Sequence, residues 1–179
     1  LILLPFLGSV AIYNHHQQHH GAFNYAALNR FFELILGIQT MIPAYAWVLH
    51  HNFGHHPNYM NQRPEENVDE SRWTRHDGSQ MGRIEYTVRL MLTGPIDSHL
   101  VGFKKQKALR NFYLMMIPYV LVQLVMAYVN WLNFFILVLF PAFLMAAYVC
   151  WLTYEHHAGL YTKNELEASR NRVGRLYNL

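Results

Sequence analysis

Ten of the twelve histidines in this chain stand as adjacent pairs: His15–His16, His19–His20, His50–His51, His55–His56 and His156–His157. Around the first four pairs the run reads H-Q-Q-H-H and then H-N-F-G-H-H. On a helix, residues four apart project from one face, so His16 and His20 point together, with His15 and His19 a second pair about 100° round. His51 and His55 repeat that spacing, and His56 extends the arc. Neutral imidazole is the commonest protein ligand for iron, copper, zinc and nickel, so the chemistry these residues offer is a polyhistidine metal centre. His76 and His99 are single and are expected to be solvated. His156–His157 alone would read as ordinary surface. The single Cys150 leaves no internal disulfide and no thiolate site.

The elements that must position these rings are apolar helices. The 179 residues are 53% hydrophobic and only 14% charged, which is apolar for a soluble domain. From Asn111 to Tyr154 there is no Asp, Glu, Lys or Arg, a run of 44 residues. A membrane span needs about 20 apolar residues, so the run predicts two, at 111–129 and 132–153, joined at Asn130–Asn133. Pro118 and Pro141 are expected to kink them, which membrane helices tolerate. A buried soluble hairpin rarely needs so long a charge-free stretch. Residues 1–13 are apolar and start at Leu1, and are expected to be the end of a longer span. Residues 34–49 reach only roughly 24 Å as a helix, short of a hydrocarbon core of about 30 Å, and contain Pro43. They are expected to form a re-entrant or interfacial helix pair. If they crossed instead, His16 and His20 would sit on the opposite face from His51, His55 and His56 and could share no site with them.

Between Pro57 and Arg110 the chain is polar and punctuated by Pro and Gly, and Arg83–Leu92 predicts a short amphipathic helix on the membrane surface. The expectation is one all-α integral membrane domain over 1–179, with a histidine-rich cap. Two spans return the chain to the side it left, and nine Lys/Arg between Arg63 and Arg110 share that side with Lys163, Arg170, Arg172 and Arg175. The turn at Asn130–Asn133 has none, so the positive-inside rule puts the histidines on the cytoplasmic side. The basic residues are interleaved with Glu65, Glu66, Asp69 and Glu70 and form no nucleic-acid stripe.

The run His16-Q-Q-H-His20-G-A-F, then Asn29, then W-V-L-H-His51-N-F-G-His55-His56 resembles the membrane fatty acid desaturase and hydroxylase superfamily. Its first box is H-x(3,4)-H, often followed by G-x-F, and its second is H-x(2,3)-H-H after an aromatic residue. The resemblance implies a non-haem di-iron centre, two iron ions held by histidines on the cytoplasmic side. His16 and His20 match the first box, and His51, His55 and His56 the second. His157, with His156 as its possible replacement, matches more loosely a further ligand just after the last span. A third box, H-x(2,3)-H-H, is missing, and no histidine follows His157. A fragment truncated at both ends is the expectation, with the box beyond Leu179, and a non-catalytic relative is the alternative.

The implied reaction is desaturation of the acyl chain of a fatty acid or lipid. The boxes do not separate this from hydroxylation or ketolation of an alkane, sterol or carotenoid, since both begin by removing hydrogen from an unactivated carbon. Glu33 and Glu155 are candidates for fixing ring tautomers. No G-x-G-x-x-G is present, so electrons must come from a partner such as a ferredoxin or b-type cytochrome, and basic loops would suit an acidic one. Tyr45, Trp47 and Phe53 could line a tunnel for the acyl chain, or form an interfacial aromatic belt. Two non-enzymatic rivals are a membrane haem carrier, which predicts single histidines on facing spans, and a metal transporter, which predicts ionisable residues inside them.

Overall fold

The computed structural model describes residues 4–58, 60–63, 65, 72–162 and 164–170. Residues 1–3 of the expected first span, Pro64, Glu66, Asp69 and Glu70, and Lys163, Arg172 and Arg175 lie outside the described residues. The protein is all-helical: α1 Leu4–His19, α2 Ala26–Thr40, a π-wound segment Val48–His55, α3 Arg83–Phe103, α4 Gln106–Val129 and α5 Trp131–His157. Among the described residues there is no strand, only an isolated bridge between Thr74 and Gln80.

α4 and α5 are long and apolar enough to cross a membrane. Each runs about one turn past its predicted bounds at the histidine end. Only Asn130 separates them, and its side chain accepts the Asn133 N–H at 2.9 Å, capping α5. Pro141 offers no N–H to the turn before it. That turn, Phe135–Leu139, is wound wider, and the Phe140 N–H bonds back to the Phe135 carbonyl. The outer surfaces of both helices are apolar and uncovered: Leu124 of α4 is 60% exposed and Leu137 of α5 68%. Such a surface is disfavoured in water and ordinary against lipid.

α1 ends at a corner only glycine can make. A Cβ on Gly21 would lie 2.7 Å from the Asn29 side chain. Asn29 needs that place, because it donates to the Phe23 carbonyl at 2.7 Å and accepts the Phe23 N–H at 3.0 Å, holding the turn into α2. α2 stops where Met41 takes a left-handed conformation (φ 57) and Pro43 follows. The chain then bends back into Val48–His55, which packs Leu49 against Ala108, Leu109 and Phe112 of α4.

The polar stretch before α3 builds a small core of its own. Met60, Trp73, Met81, Tyr86 and Leu90 gather with Ala158 and Ala168 against Cys150 and Tyr154 of α5. The Gln62 side-chain oxygen accepts the N–H groups of Trp73 and Thr74 at 2.9 and 3.1 Å. The Tyr154 hydroxyl donates to the Met81 carbonyl at 2.8 Å and accepts from Gln80 at 2.9 Å, tying this core to the end of α5.

Candidate metal centre

The rotation of α1 decides which histidines meet. Its buried face is Ala11, Asn14 and Gln17, packed on α2. Asn14 donates to Thr40 Oγ1 at 2.9 Å and to the Ile42 carbonyl at 3.1 Å. Gln17 donates to Asn29 Oδ1 at 3.1 Å and Glu33 Oε1 at 3.3 Å, and its own oxygen accepts the Ala22 N–H at 2.9 Å. Glu33 is itself buried and ion-paired with Arg30 at 2.6 Å. Buried polar groups are tolerated when partnered, and such a network specifies one orientation. Burial pushes the Glu33 carboxyl above its usual value, opposed by Arg30 and by the Gln17 hydrogen bond.

With α1 so turned, His15 is half-buried beside that face, while His16, His19 and His20 are exposed. His15 Nε2 stands 2.9 Å from His51 Nε2 and 3.0 Å from His19 Nε2. The ligand nitrogens of His15, His19 and His51 all fall within 4.8 Å of one another. Among the described residues, His16 and His20 are not in the group whose nitrogens meet within 4.8 Å. The His16 ring stands 5.7 Å from that of His15, centroid to centroid.

The second cluster owes its arc to the π winding. Bonding from residue i to i+5, as in His56 N–H to the His51 carbonyl, brings the fifth residue over the first. On an α-helix that residue would be about 140° away. Both neighbours therefore converge on His51: His55 stacks on it at 5.0 Å between centroids and His56 meets it edge-on at 4.7 Å. His56 also reaches His19 at 5.3 Å.

His157 arrives from the end of α5, with its ring 5.1 Å from that of the buried His55. Its Nδ1 donates to the Ala168 carbonyl at 2.8 Å. That bond fixes the tautomer and leaves Nε2 as the nitrogen with a lone pair. His156 is exposed, and its carbonyl accepts the Arg170 N–H. The Ala168 carbonyl carried no sequence signal, because it is backbone placed by a distant loop. Of the carboxylates expected to orient rings, Glu33 acts on α1 through Gln17, and Glu155 pairs with Arg83 at 2.6 Å.

Trp47 stacks on His15 at 5.4 Å and meets His51 edge-on at 6.2 Å, so it walls the cluster. Tyr45 and Phe53 instead line a shallow cleft of about 390 Å³ with Lys105 and Lys107.

The donor set fits a first-row metal ion. Three imidazole nitrogens gathered within 4.8 Å of one another are the donor chemistry such an ion would take from His15, His19 and His51. The His19 imidazole is pushed below its ordinary value by partial burial, then by His51, His56, His16 and His20. This favours the neutral ring that ligates metal.

The family model for fatty acid desaturase matches residues 1–179. No curated protein and no solved structure matches the chain. Because the family match runs the length of the chain and does not rest on the histidine boxes alone, the chain belongs to the fatty acid desaturase family.

Proposed function

We propose that this membrane enzyme, an oxygen-dependent oxidoreductase of the desaturase type by family, removes two hydrogens from the acyl chain of a fatty acid or lipid at a pair of irons. The convergence of His15, His19 and His51 nitrogens carries the reading. His15, His19 and His51, with His55, His56 and His157 beside them, would hold the metal. When bound, iron supplies the oxidising power that no side chain has, by reducing dioxygen. Overall, one dioxygen, two electrons and two protons from solution, and the two substrate hydrogens end as a double bond and two waters.

The chain's own groups do the rest. Trp47 covers His15 and limits water at that edge. The Ala168 carbonyl holds the His157 ring. The exposed cations Lys104, Lys105, Lys107 and Arg110 suit an acidic electron donor such as a ferredoxin or b-type cytochrome. Their number on the histidine side, against none at the Asn130 turn, supports a cytoplasmic centre.

A second register follows from the box resemblance, in which His16 and His20 are the ligands. Replacing His15 and His19 together by Ala should remove iron from the purified protein, measured as metal per chain, while His16→Ala with His20→Ala should leave most of it. The reverse outcome would hand the site to His16 and His20. Iron unchanged in both would refute the centre. Product mass then separates the chemistries: loss of two hydrogens for a desaturase, gain of one oxygen for a hydroxylase.

A further inference from the structure

The end of α1 and the π-wound segment Val48–His55 face each other across the candidate centre, yet they pack on each other only slightly. α1 lies mainly on α2, and the π-wound segment on α3. His15 and His51 touch through their Nε2 atoms at 2.9 Å. That contact cannot hold the two elements once both nitrogens ligate a metal, because neither then has a proton or a lone pair to offer the other. Another bond must keep the gap.

Asn52, next to His51, makes such a bond. Its Nδ2 donates to the Gln18 carbonyl at 3.1 Å, across 34 residues of chain. Gln18 immediately precedes His19, in the last turn of α1, where carbonyls run out of partners within the helix. The N–H of Ala22 would ordinarily close a further turn on the Gln18 carbonyl, but it donates instead to Gln17 Oε1 at 2.9 Å. Gln18 is itself anchored. Its side-chain amide donates to Asn14 Oδ1 at 3.4 Å, and Asn14 bonds to Thr40 and Ile42. The bond from Asn52 therefore ends on the buried network that fixes the rotation of α1.

The other end of the same amide has no such use. Asn52 Oδ1 is buried and accepts no hydrogen bond among the described residues. An unsatisfied buried acceptor is a cost that an apolar side chain of similar shape would avoid, so the fold alone does not account for an amide here. The segment is also π-wound, a local form that recurs at functional sites.

We propose that Asn52 is a positioning residue: its amide N–H bolts the π-wound segment to the end of α1 and so sets the gap between His51 and the pair His15 and His19. This role rests on those three rings being the metal ligands.

The test titrates cobalt(II), whose d–d absorption reports ligand number and geometry, into the purified chain in detergent. Asn52→Leu keeps roughly the size of the side chain and removes the donor together with the unsatisfied oxygen. Its cobalt affinity should fall roughly 10–100-fold, as for loss of an outer partner. Its d–d band at saturation should change in position or intensity. The unfolding midpoint of the metal-free variant should not fall. Asn52→Gln keeps an amide donor and should recover both affinity and band. Wild-type affinity and band in Asn52→Leu would overturn the role. So would a wild-type band at saturation with a lowered metal-free midpoint, since the bond would then serve the fold alone. Asn52→Gln as impaired as Asn52→Leu would also overturn it, because the donor would not be what matters. His51→Ala, titrated alongside, checks the site itself. A wild-type band that survives in His51→Ala would place the cobalt elsewhere and refute the centre, and the role of Asn52 with it.

Discussion

Where His15, His19 and His51 meet, the rings are crowded against one another; where His55 meets His157, each ring is held by the fold around it. The first group comes from two short helical stretches. Spacing within each is local, four residues from His15 to His19 and a wide turn that swings His56 over His51, but His15 meets His51 only because α1 is turned toward it across 36 residues of chain. His19 and His56 remain exposed. The second pair joins residues a hundred positions apart. His55 is 1% exposed, and His157 depends on Tyr154, Glu155 and Ala168 being docked correctly. Ligand spacing written into a helix needs only that the helix form. Ligand spacing written into tertiary contacts needs the whole loop core. The two halves should therefore fail differently.

The largest loss should come from His51→Ala, because His51 has ring contacts to His15, His19, His55 and His56 together. Iron per chain, read by plasma mass spectrometry, should collapse, and activity should fall by more than the roughly 10–100-fold that loss of an outer partner costs. Iron and turnover near the wild-type level would remove His51 from the centre.

Ala168→Leu breaks the second half selectively. The Ala168 side chain is fully buried in the core of Trp73 and Met81, so a larger one must displace its own carbonyl from His157. Overpacking should cost about 1–3 kcal/mol of stability. Iron affinity should drop roughly 10–100-fold. Ala168→Gly keeps the carbonyl and should keep the iron. Equal affinity in the two variants would show that the carbonyl does not hold His157.

Gln17→Leu acts beneath the first half. It leaves Asn29 and Glu33 short of a buried partner, at a cost of about 1–3 kcal/mol, seen as a lower unfolding midpoint in detergent. If the midpoint does not move, the rotation of α1 is set by something other than this network.

The same contrast explains what was legible in the sequence. The two apolar helices and the clustering of histidines follow from composition and spacing, because a charge-free run of 44 residues has few other homes. Which histidines of α1 face the second cluster was not legible. The buried face of α1 includes Asn14 and Gln17, so no apolar stripe announces its rotation. The π winding at Val48–His55 was hidden too, since an α-helical reading of His51 and His55 leaves His56 off the shared face. The hold of Ala168 on His157 is a backbone contact across eleven residues and depends on how a polar loop folds. The amphipathic character of Arg83–Leu92 was visible, but the helix runs on to Phe103 through Pro95, whose ring a sequence reading takes as an end.

The smallest effect concerns the sign of a pH dependence. Burial raises the Glu33 carboxyl above its ordinary 4.5, so the folded chain holds that proton more tightly than the unfolded one. Its stabilising contribution is complete below 4.5 and is lost as pH rises through the folded value. The His19 ring is shifted the other way, below 6.5, so its contribution is present above 6.5 and lost as pH falls through its folded value. The unfolding midpoint should therefore carry two opposing slopes in mildly acidic buffer. Glu33→Gln keeps the shape of the side chain and cannot titrate, so it should remove the falling limb and leave a midpoint that only rises with pH. A falling limb that persists in Glu33→Gln would place the titrating carboxyl elsewhere. Loss of both limbs would mean that α1 turns as soon as Gln17 loses a charged acceptor, tying the local half of the centre to its buried network more tightly than helix geometry alone requires.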